Sequence, residues 1–475
     1  MTRSLTLAFA LLVSGSVAAP VGAQQVTVLH GATIIDGTGA APRPNAVVVV
    51  RDGRITEVAD AAGYRRPQGA RVLDLRGRYL LPGFIDAHAH VNLGPVSVDS
   101  ATGHPMVHID TAATTLSLRT LLAYGITSIR DPGAPAERAV SVRERIAAGT
   151  LLGPRLVTAG EVLDASVFPG IATTVRTEQD VRAEVRRQLD AGVDYIKVYV
   201  SLPPPLVAAA IAETHARGKR VLGHLMATSW TEAARLGIDG IVHSVPSSAT
   251  LLRPDRRQAY IGGMARNTRF MFQWFEHADL ESAEIDSMVR ALVERRVVHD
   301  PTLVVFEAMA WGDSARITQN PELALAAPRL LENWRTAFTL SSGWTRQDYD
   351  SARAVWPTVL RFVKLLHDRG VLLVAGTDAN NPWVVPGPSF HRELELLASA
   401  GIPPLQVLRI ATRNGAEALG RLDSLGTIER GKIADLVLLE ADPTRDITAT
   451  RRVAWVMRGG IIHRPEELLR PGRSR

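Results

Sequence analysis

The sequence predicts an α/β protein, a (β/α)8 TIM barrel carrying a small β-sandwich built from both chain ends. Three observations predict it. Between residues 82 and 420, eight short apolar strand-like runs alternate with amphipathic helical patterns, as repeated βα units on a parallel sheet require. The flanks, 24–81 and 421–465, share a different texture of β-branched runs broken by Gly or Asp-Gly, and they resemble each other more than the middle. His, Lys and Asp residues also recur at the ends of the barrel strands, where such a barrel keeps its chemistry.

Residues 1–23 read as a secretory signal. Arg3 precedes an apolar stretch from Leu5 to Val13, and Val21-Gly22-Ala23 offers small residues for cleavage after Ala23. That stretch is too short for a membrane span, and no other approaches 18 apolar residues. The expectation is an exported protein, periplasmic or secreted, without a stable membrane span. The chain has no Cys, which excludes disulfides and thiolate metal ligands. The net charge is +6, yet the basic residues are scattered with no run of five, which argues against a nucleic-acid partner. A small-molecule substrate is the expected partner, and a homo-oligomer is left open. Of 54 basic side chains, only residues 197, 219, 364 and 432 are Lys, so each Lys poses a separate question.

Residues 24–81 supply the first sandwich strands: VTVLHGATIID, a Gly-Thr-Gly turn, NAVVVVRDGRITEVA and RVLDLRGRYL. The barrel opens with LPGFIDAHAH at 81–90, whose alternation places Asp86, His88 and His90 on one face of a strand. Helix is expected over 115–124, strand over 126–130, helix over 136–148 ending at Gly149, and strand over 155–158. A further helix starts at Thr177, where Thr177 and Asp180 form a capping-box-like pair and Val181, Val185 and Leu189 form an apolar stripe. Strands follow at 195–200, 220–225, 240–244, 297–305 and 371–377. The spans 245–296 and 307–357 are long for single crossovers and predict insertions. Residues 421–465 return to the sandwich, and 466–475 form a tail.

Imidazoles at i and i+2 of a strand have Cα atoms roughly 6.5–7 Å apart, and both can reach one ion at about 2.0–2.1 Å. With 13 His in 475 residues, one His-x-His carries little weight alone. The weight comes from company: Lys197 lies in strand 4 (DYIKVYV), His224 ends strand 5 (RVLGH), His243 ends strand 6 (GIVH) and Asp378 ends strand 8 (VLLVAGTD).

In PGFIDAHAH, IKVY, VLGH, IVHS and GTDA the chain resembles the amidohydrolase superfamily. The tail LLASAGIPPLQVLRIATRNGAEALG, followed by LGTIERGKIADLVLLEADP, is similar to its imidazolonepropionase-like and Xaa-Pro or Xaa-Arg dipeptidase branch. The resemblance covers nearly all of the chain after residue 23. It implies two divalent metal ions, with zinc the first choice and Mn, Fe or Co also suited to such ligands. His88, His90 and Asp378 would hold one ion and His224 and His243 the other. Lys197 would bridge both after its buried amine loses a proton and takes up carbon dioxide as a carbamate. A water between two such ions ionises near neutral pH, and Asp378 would serve as general base and then acid.

The resemblance is less definite about the bond cut. Deaminases of the superfamily usually carry a Glu three residues after the strand 5 His, whereas His224 is followed by Leu225, Met226 and Ala227. The dipeptidase branch often has a Gly-Gly-His-Gly-like loop after strand 3, whereas this chain reads ASVFPGIATTVRT. The insertions carry Phe272, Trp274, Phe275 and Trp311, which suit an apolar substrate group. His299 on strand 7 and Trp383 after strand 8 are candidate substrate contacts. Asp86 could either orient an imidazole or fix its strand end, His391 opens a helix, and Arg176 or Arg269 could clamp a carboxylate. The expected activity is hydrolysis of amide bonds in dipeptides or N-acyl amino acids. The alternatives are a lactone, carbamate or organophosphate ester hydrolase with the same centre, and then a non-catalytic binding protein.

Overall fold

The computed structural model describes residues 26–470. The expected signal peptide therefore lies outside the described residues. The barrel is built from eight parallel strands: Phe84–Asp86, Ile126–Asp131, Arg155–Thr158, Tyr195–Val198, Arg220–Gly223, Gly240–Val242, Val298–Asp300 and Leu372–Leu373. Strands 1 to 3 form one ladder and strands 4 to 8 another. Two backbone seams close the ring. Asp194 N donates to Thr158 O at 2.8 Å between strands 3 and 4, and Ala87 N donates to Ala375 O at 2.8 Å between strands 8 and 1.

Local chemistry explains where the helices begin. Asp110 caps Thr111–Ala123 by accepting from Ala113 N, so this helix starts four residues before the expected 115. Thr177 and Asp180 form a complete capping box on Glu178–Asp190, with Val181 and Val185 buried against the barrel. The two long spans hold extra helices, among them Pro254–Gly263, Phe270–His277 and Pro328–Thr336.

The strand expected over 371–377 is confined to Leu372–Leu373, and one expected strand changes type part-way. The run 297–305 is strand only through Asp300. Pro301 and Thr302, the latter at φ +48°, turn the chain into the buried helix Leu303–Ala310. A short β-branched run such as Leu303-Val304-Val305-Phe306 fits a buried helix as well as a strand by pattern alone.

Both chain ends contribute to a separate eight-stranded sheet. Thr27–Ile34 pairs with Arg43–Arg51, and parallel with Arg71–Asp74 along one half and Tyr79–Pro82 along the other, so the sheet forks there. The C-terminal strands Leu436–Leu439, Val453–Arg458 and Ile461–His463 extend it through Tyr79–Pro82. Leu29, Val48, Leu80, Leu436 and Trp455 form its apolar core. Asp435 ties this sheet to the barrel, accepting from Arg155 Nε at 2.7 Å and Gly459 N at 2.6 Å.

Candidate active site

The C-terminal ends of the strands converge on a group of buried imidazoles and carboxylates. His88 Nε2 and His90 Nε2 lie 3.3 and 3.1 Å from Asp378 Oδ1. Donor atoms of His88, His243 and Asp378 all fall within 4.8 Å of one another, a spacing that suits one metal ion. The His224 and His243 rings stand edge to face, with centroids 4.4 Å apart. Lys197, only 1% exposed, lies on the strand between these groups. Thus His88, His90, Lys197, His224, His243 and Asp378 come together, and all but the fully buried His88 line one cleft of about 950 Å³.

Local backbone choices place these donors. His243 and Asp378 sit at φ +69° and +61°, a conformation that costs about 1–3 kcal/mol and turns each side chain off its strand end. At Gly376 bare backbone is required, since a Cβ would meet Asp300 Oδ1 at 2.5 Å and the His88 Cβ at 2.7 Å.

Burial dominates the electrostatics. It pushes the Lys197 ammonium down to about 7, with Arg130 adding to the fall. It holds His224 at about 3 and keeps His88 and His243 well below the usual imidazole range, so all three are neutral, as metal ligation requires. His88 Nε2, His224 Nδ1 and Asp378 Oδ1 are buried and lack a hydrogen-bond partner. Such orphans are rare because each costs about 1–3 kcal/mol. A divalent ion satisfies several at once, so the donor set fits a metal.

Behind the donors lie three aspartates, each the last residue of its strand. Asp300 Oδ2 is 3.6 Å from His88 Nδ1 and 3.7 Å from Arg130 Nη2. Asp131 accepts from Asn92 at 2.7 Å and lies 4.0 Å from His90 Nδ1. Asp86 accepts from His88 N at 3.1 Å and from the Thr377 hydroxyl at 2.8 Å, so it fixes the strand end rather than an imidazole ring. Burial raises Asp86 to about 8, Asp131 to about 6 and Asp300 to about 7. Thr302 holds His243 Nδ1 at 2.7 Å. With that hydroxyl engaged, Glu393 supplies the missing cap on Leu303–Ala310, accepting from Val304 N at 2.8 Å.

Both expected substrate contacts lie away from the cleft. His299 is fully buried on the outer face of strand 7, where Ser244 Oγ at 2.9 Å and Ile241 O at 3.1 Å engage its ring nitrogens and Trp230 packs on it. Strand alternation places Asp300 inward in its stead. Trp383 packs behind Trp334, and it is Trp334 that lines the cleft. The aromatics foreseen in the insertions are likewise structural. Phe272, Trp274 and Phe275 are buried, with the latter two packed on Phe362, while Trp311 meets Trp356 edge to face. The walls consist instead of Phe168, Ile171, Met271, Phe306 and Met309. His391 is buried with Nε2 on Tyr124 O, and Arg269 is engaged by Glu276 and Asp348. Sequence reasoning missed Asp131, Asp300 and Thr302. The signal available was the repeated Asp closing a barrel strand.

The barrel and its ring of neutral imidazoles around a carboxylate define the class, a metal-dependent barrel hydrolase. The chain belongs to the amidohydrolase family, which it matches over residues 79–462. It is 24% identical to the imidazolonepropionase of Phocaeicola vulgatus over 434 residues, covering 88% of this chain and 92% of that one. It is 22% identical to adenine deaminase 3 of Rhizobium meliloti over 426 residues, 88% of this chain, and spans about half that relative's length (54%). A putative prolidase from Bifidobacterium longum superposes with a TM-score of 0.67 at 26% identity, covering 94% of this chain and 98% of that structure. The protein thus has the fold, the family match and the donor set of an amidohydrolase-superfamily hydrolase. None of the described helices is long and apolar enough to cross a membrane.

Proposed function

We propose that the chain is an exported, binuclear-metal amidohydrolase that cleaves amide bonds of dipeptides or N-acyl amino acids. His88, His90 and Asp378 would hold one ion, His224 and His243 the other, and a carbamate on Lys197 would serve both. Zinc is the first choice for these nitrogen and oxygen ligands. When bound, such ions acidify a water and polarise the scissile carbonyl. The chain's own residues do the rest. Lys197, brought down to about 7 by burial, has its amine free near neutral pH, and that amine adds to carbon dioxide with loss of one proton. Asp378 takes the proton of the attacking water and returns it to the departing amine. Asp300 and Asp131 orient His88 and His90 from behind.

The observation that carries this reading is the convergence of buried, unpartnered His88 Nε2 and Asp378 Oδ1 at the floor of a cleft, with buried Lys197 beside them. The test is metal content per purified chain, for wild type and Lys197→Ala, with hydrolysis of dipeptides, N-acyl amino acids and matched esters. The expected outcome is about two ions per wild-type chain, fewer in the variant, and loss of amide cleavage. A well-folded wild type that takes up no metal would overturn the mechanism, and cleavage of esters alone would move the assignment to ester hydrolysis.

A further inference from the structure

Two hydrogen-bond donors of the cleft are free. Among the described residues that line it, the Tyr199 hydroxyl and Trp334 Nε1 have no protein partner. The other neutral polar side chains there are engaged. Asn333 exchanges hydrogen bonds with the Val96 backbone at 2.9 and 2.8 Å. The Asn380 amide donates to His90 O and Ser117 Oγ, and the Asn381 amide to Asp378 O. Thr268 donates to Leu340 O and accepts from Trp344 Nε1. Buried indole N–H groups usually find a partner, as Trp274 Nε1 does in Ser248 O at 3.0 Å. Trp334 is only 2% exposed, yet its N–H has the cleft in place of a partner.

The helix Pro328–Thr336, in the long insertion between strands 7 and 8, carries Trp334. Its neighbour Asn333 pins that helix to Val96, and Leu330 and Trp334 are buried with Ala113 and Val385. A donor held this firmly loses little freedom when it meets an acceptor. The two free donors differ in their surroundings. Tyr199 stands at the floor, its ring edge to face with His224 at 4.9 Å, and Asp378 and Asp164 set negative charge near its hydroxyl. A substrate carboxylate brought there is repelled. Trp334 instead lies among apolar side chains and Trp383. Apart from Lys197 and the imidazoles at the floor, no cationic side chain lines the cleft among the described residues, so an anionic substrate group must rely on a neutral donor.

Dipeptides and N-acyl amino acids share a carboxylate on the leaving amine. Resting on the amide-hydrolase reading, we propose that Trp334 Nε1 donates to that carboxylate and so selects substrates that carry it. The catalytic floor comes from the barrel strands, and this specificity residue comes from the insertion.

The test compares N-hexanoyl-phenylalanine with N-hexanoyl-phenethylamine, which lacks only the carboxyl, on the metal-loaded enzyme. Hexanoate release gives kcat and KM for wild type, Trp334→Phe and Tyr199→Phe, and calorimetry in the Asp378→Asn background gives Kd with and without Trp334→Phe. Wild type should prefer the acid about tenfold in kcat/KM, the worth of one hydrogen bond to a charged group. Trp334→Phe keeps an aromatic ring in the wall and removes the N–H. It should raise KM for the acid about tenfold with kcat little changed, leave the phenethylamide near wild type and erase the preference. Tyr199→Phe should keep the preference. A wild type without preference would overturn the proposal. So would equal losses on both compounds in Trp334→Phe, which reduce the residue to packing, or loss of the preference in Tyr199→Phe alone. If neither compound is cleaved, the amide reading falls and Kd decides this one. Tighter binding of the acid that Trp334→Phe abolishes supports it, and equal affinity or no binding refutes it.

Discussion

The two ends of the barrel hold cavities of opposite character. At the C-terminal end the cleft of about 950 Å³ has an apolar wall over a floor of unpartnered donors. At the N-terminal end a cavity of about 960 Å³ is lined by Asp194, Lys219, Arg220, Asp239 and Arg421. Asp194 pairs with Arg143 at 2.8 Å, Asp239 with His215 at 2.8 Å, and Arg220 with the carbonyls of Glu417 and Ala418, while Lys219 and Arg421 are exposed to water. Charge alone therefore does not mark the working end. What marks it is a convergence of several buried imidazole and carboxylate atoms left without a hydrogen-bond partner, an arrangement that a ligand completes. Arg130 belongs to both ends, since it lines the basal cavity while its Nη2 lies 3.7 Å from Asp300.

The comparison is broken most severely at Asp378. Asp378→Asn keeps the shape and one oxygen but removes the proton acceptor, so turnover should fall about 10²–10⁴-fold while metal content per chain changes far less. Wild-type turnover in that variant would remove Asp378 from proton transfer.

Lys197 gives the next effect, read as a function of pH. Carbamate formation requires the neutral amine, and burial lowers the ammonium from 10.5 to about 7. Below that value the reactive fraction grows about tenfold per pH unit, and above it the fraction saturates. Activation of metal-free protein by divalent ions and bicarbonate should therefore rise between pH 6 and 7 and level off above about pH 8. A rise continuing to pH 10 would mean that Lys197 titrates as a solvated lysine.

The adjacent pair on strand 7 sharpens the contrast within a single element. Asp300→Asn weakens the support behind His88, and loss of such outer partners typically costs about 10–100-fold in metal affinity or activity. His299→Asn alters contacts with Ser244, Ile241 and Trp230 on the outer face and should lower thermal stability with kcat/KM unchanged. Equal kinetic defects in the two variants would show that strand 7 transmits packing rather than orienting an imidazole.

This pair also shows what was legible in the sequence. The barrel order, the two-ended sheet and the positions of His88, His90, Lys197, His224, His243 and Asp378 at strand ends could all be read from periodicity and motif. The inward face of strand 7 could not, because three strand residues, Val298 to Asp300, give too short an alternation to choose between His299 and Asp300. The cleft wall was illegible for another reason. Phe272 and Trp274 were the conspicuous aromatics, yet Trp274 turns onto Phe362 and Phe272 packs behind Phe306, so that their helix gives the wall Met271. The aromatic part of the wall includes Phe168 from an irregular loop and Phe306 from a helix that the pattern presents as strand. Tertiary packing decides which apolar residues face a ligand, and local pattern does not encode it.

The smallest effect belongs to the basal cavity. Asp239 accepts from Val221 N at 2.7 Å and pairs with His215, and both partners lie at the edge of the barrel, where His215 is 40% exposed. An ion pair so placed contributes only about 0–1 kcal/mol, and the amide of Asp239→Asn retains an oxygen to accept from Val221 N. The variant should lose no more than about 1 kcal/mol of stability and keep wild-type kcat/KM and metal content. A tenfold fall in kcat/KM would show that the basal charges act on the opposite end through Arg130 and Asp300, so that the two cavities form one electrostatic system. Unchanged kinetics leave paired charge at the base as framework and confine chemistry to the end where the partners are missing.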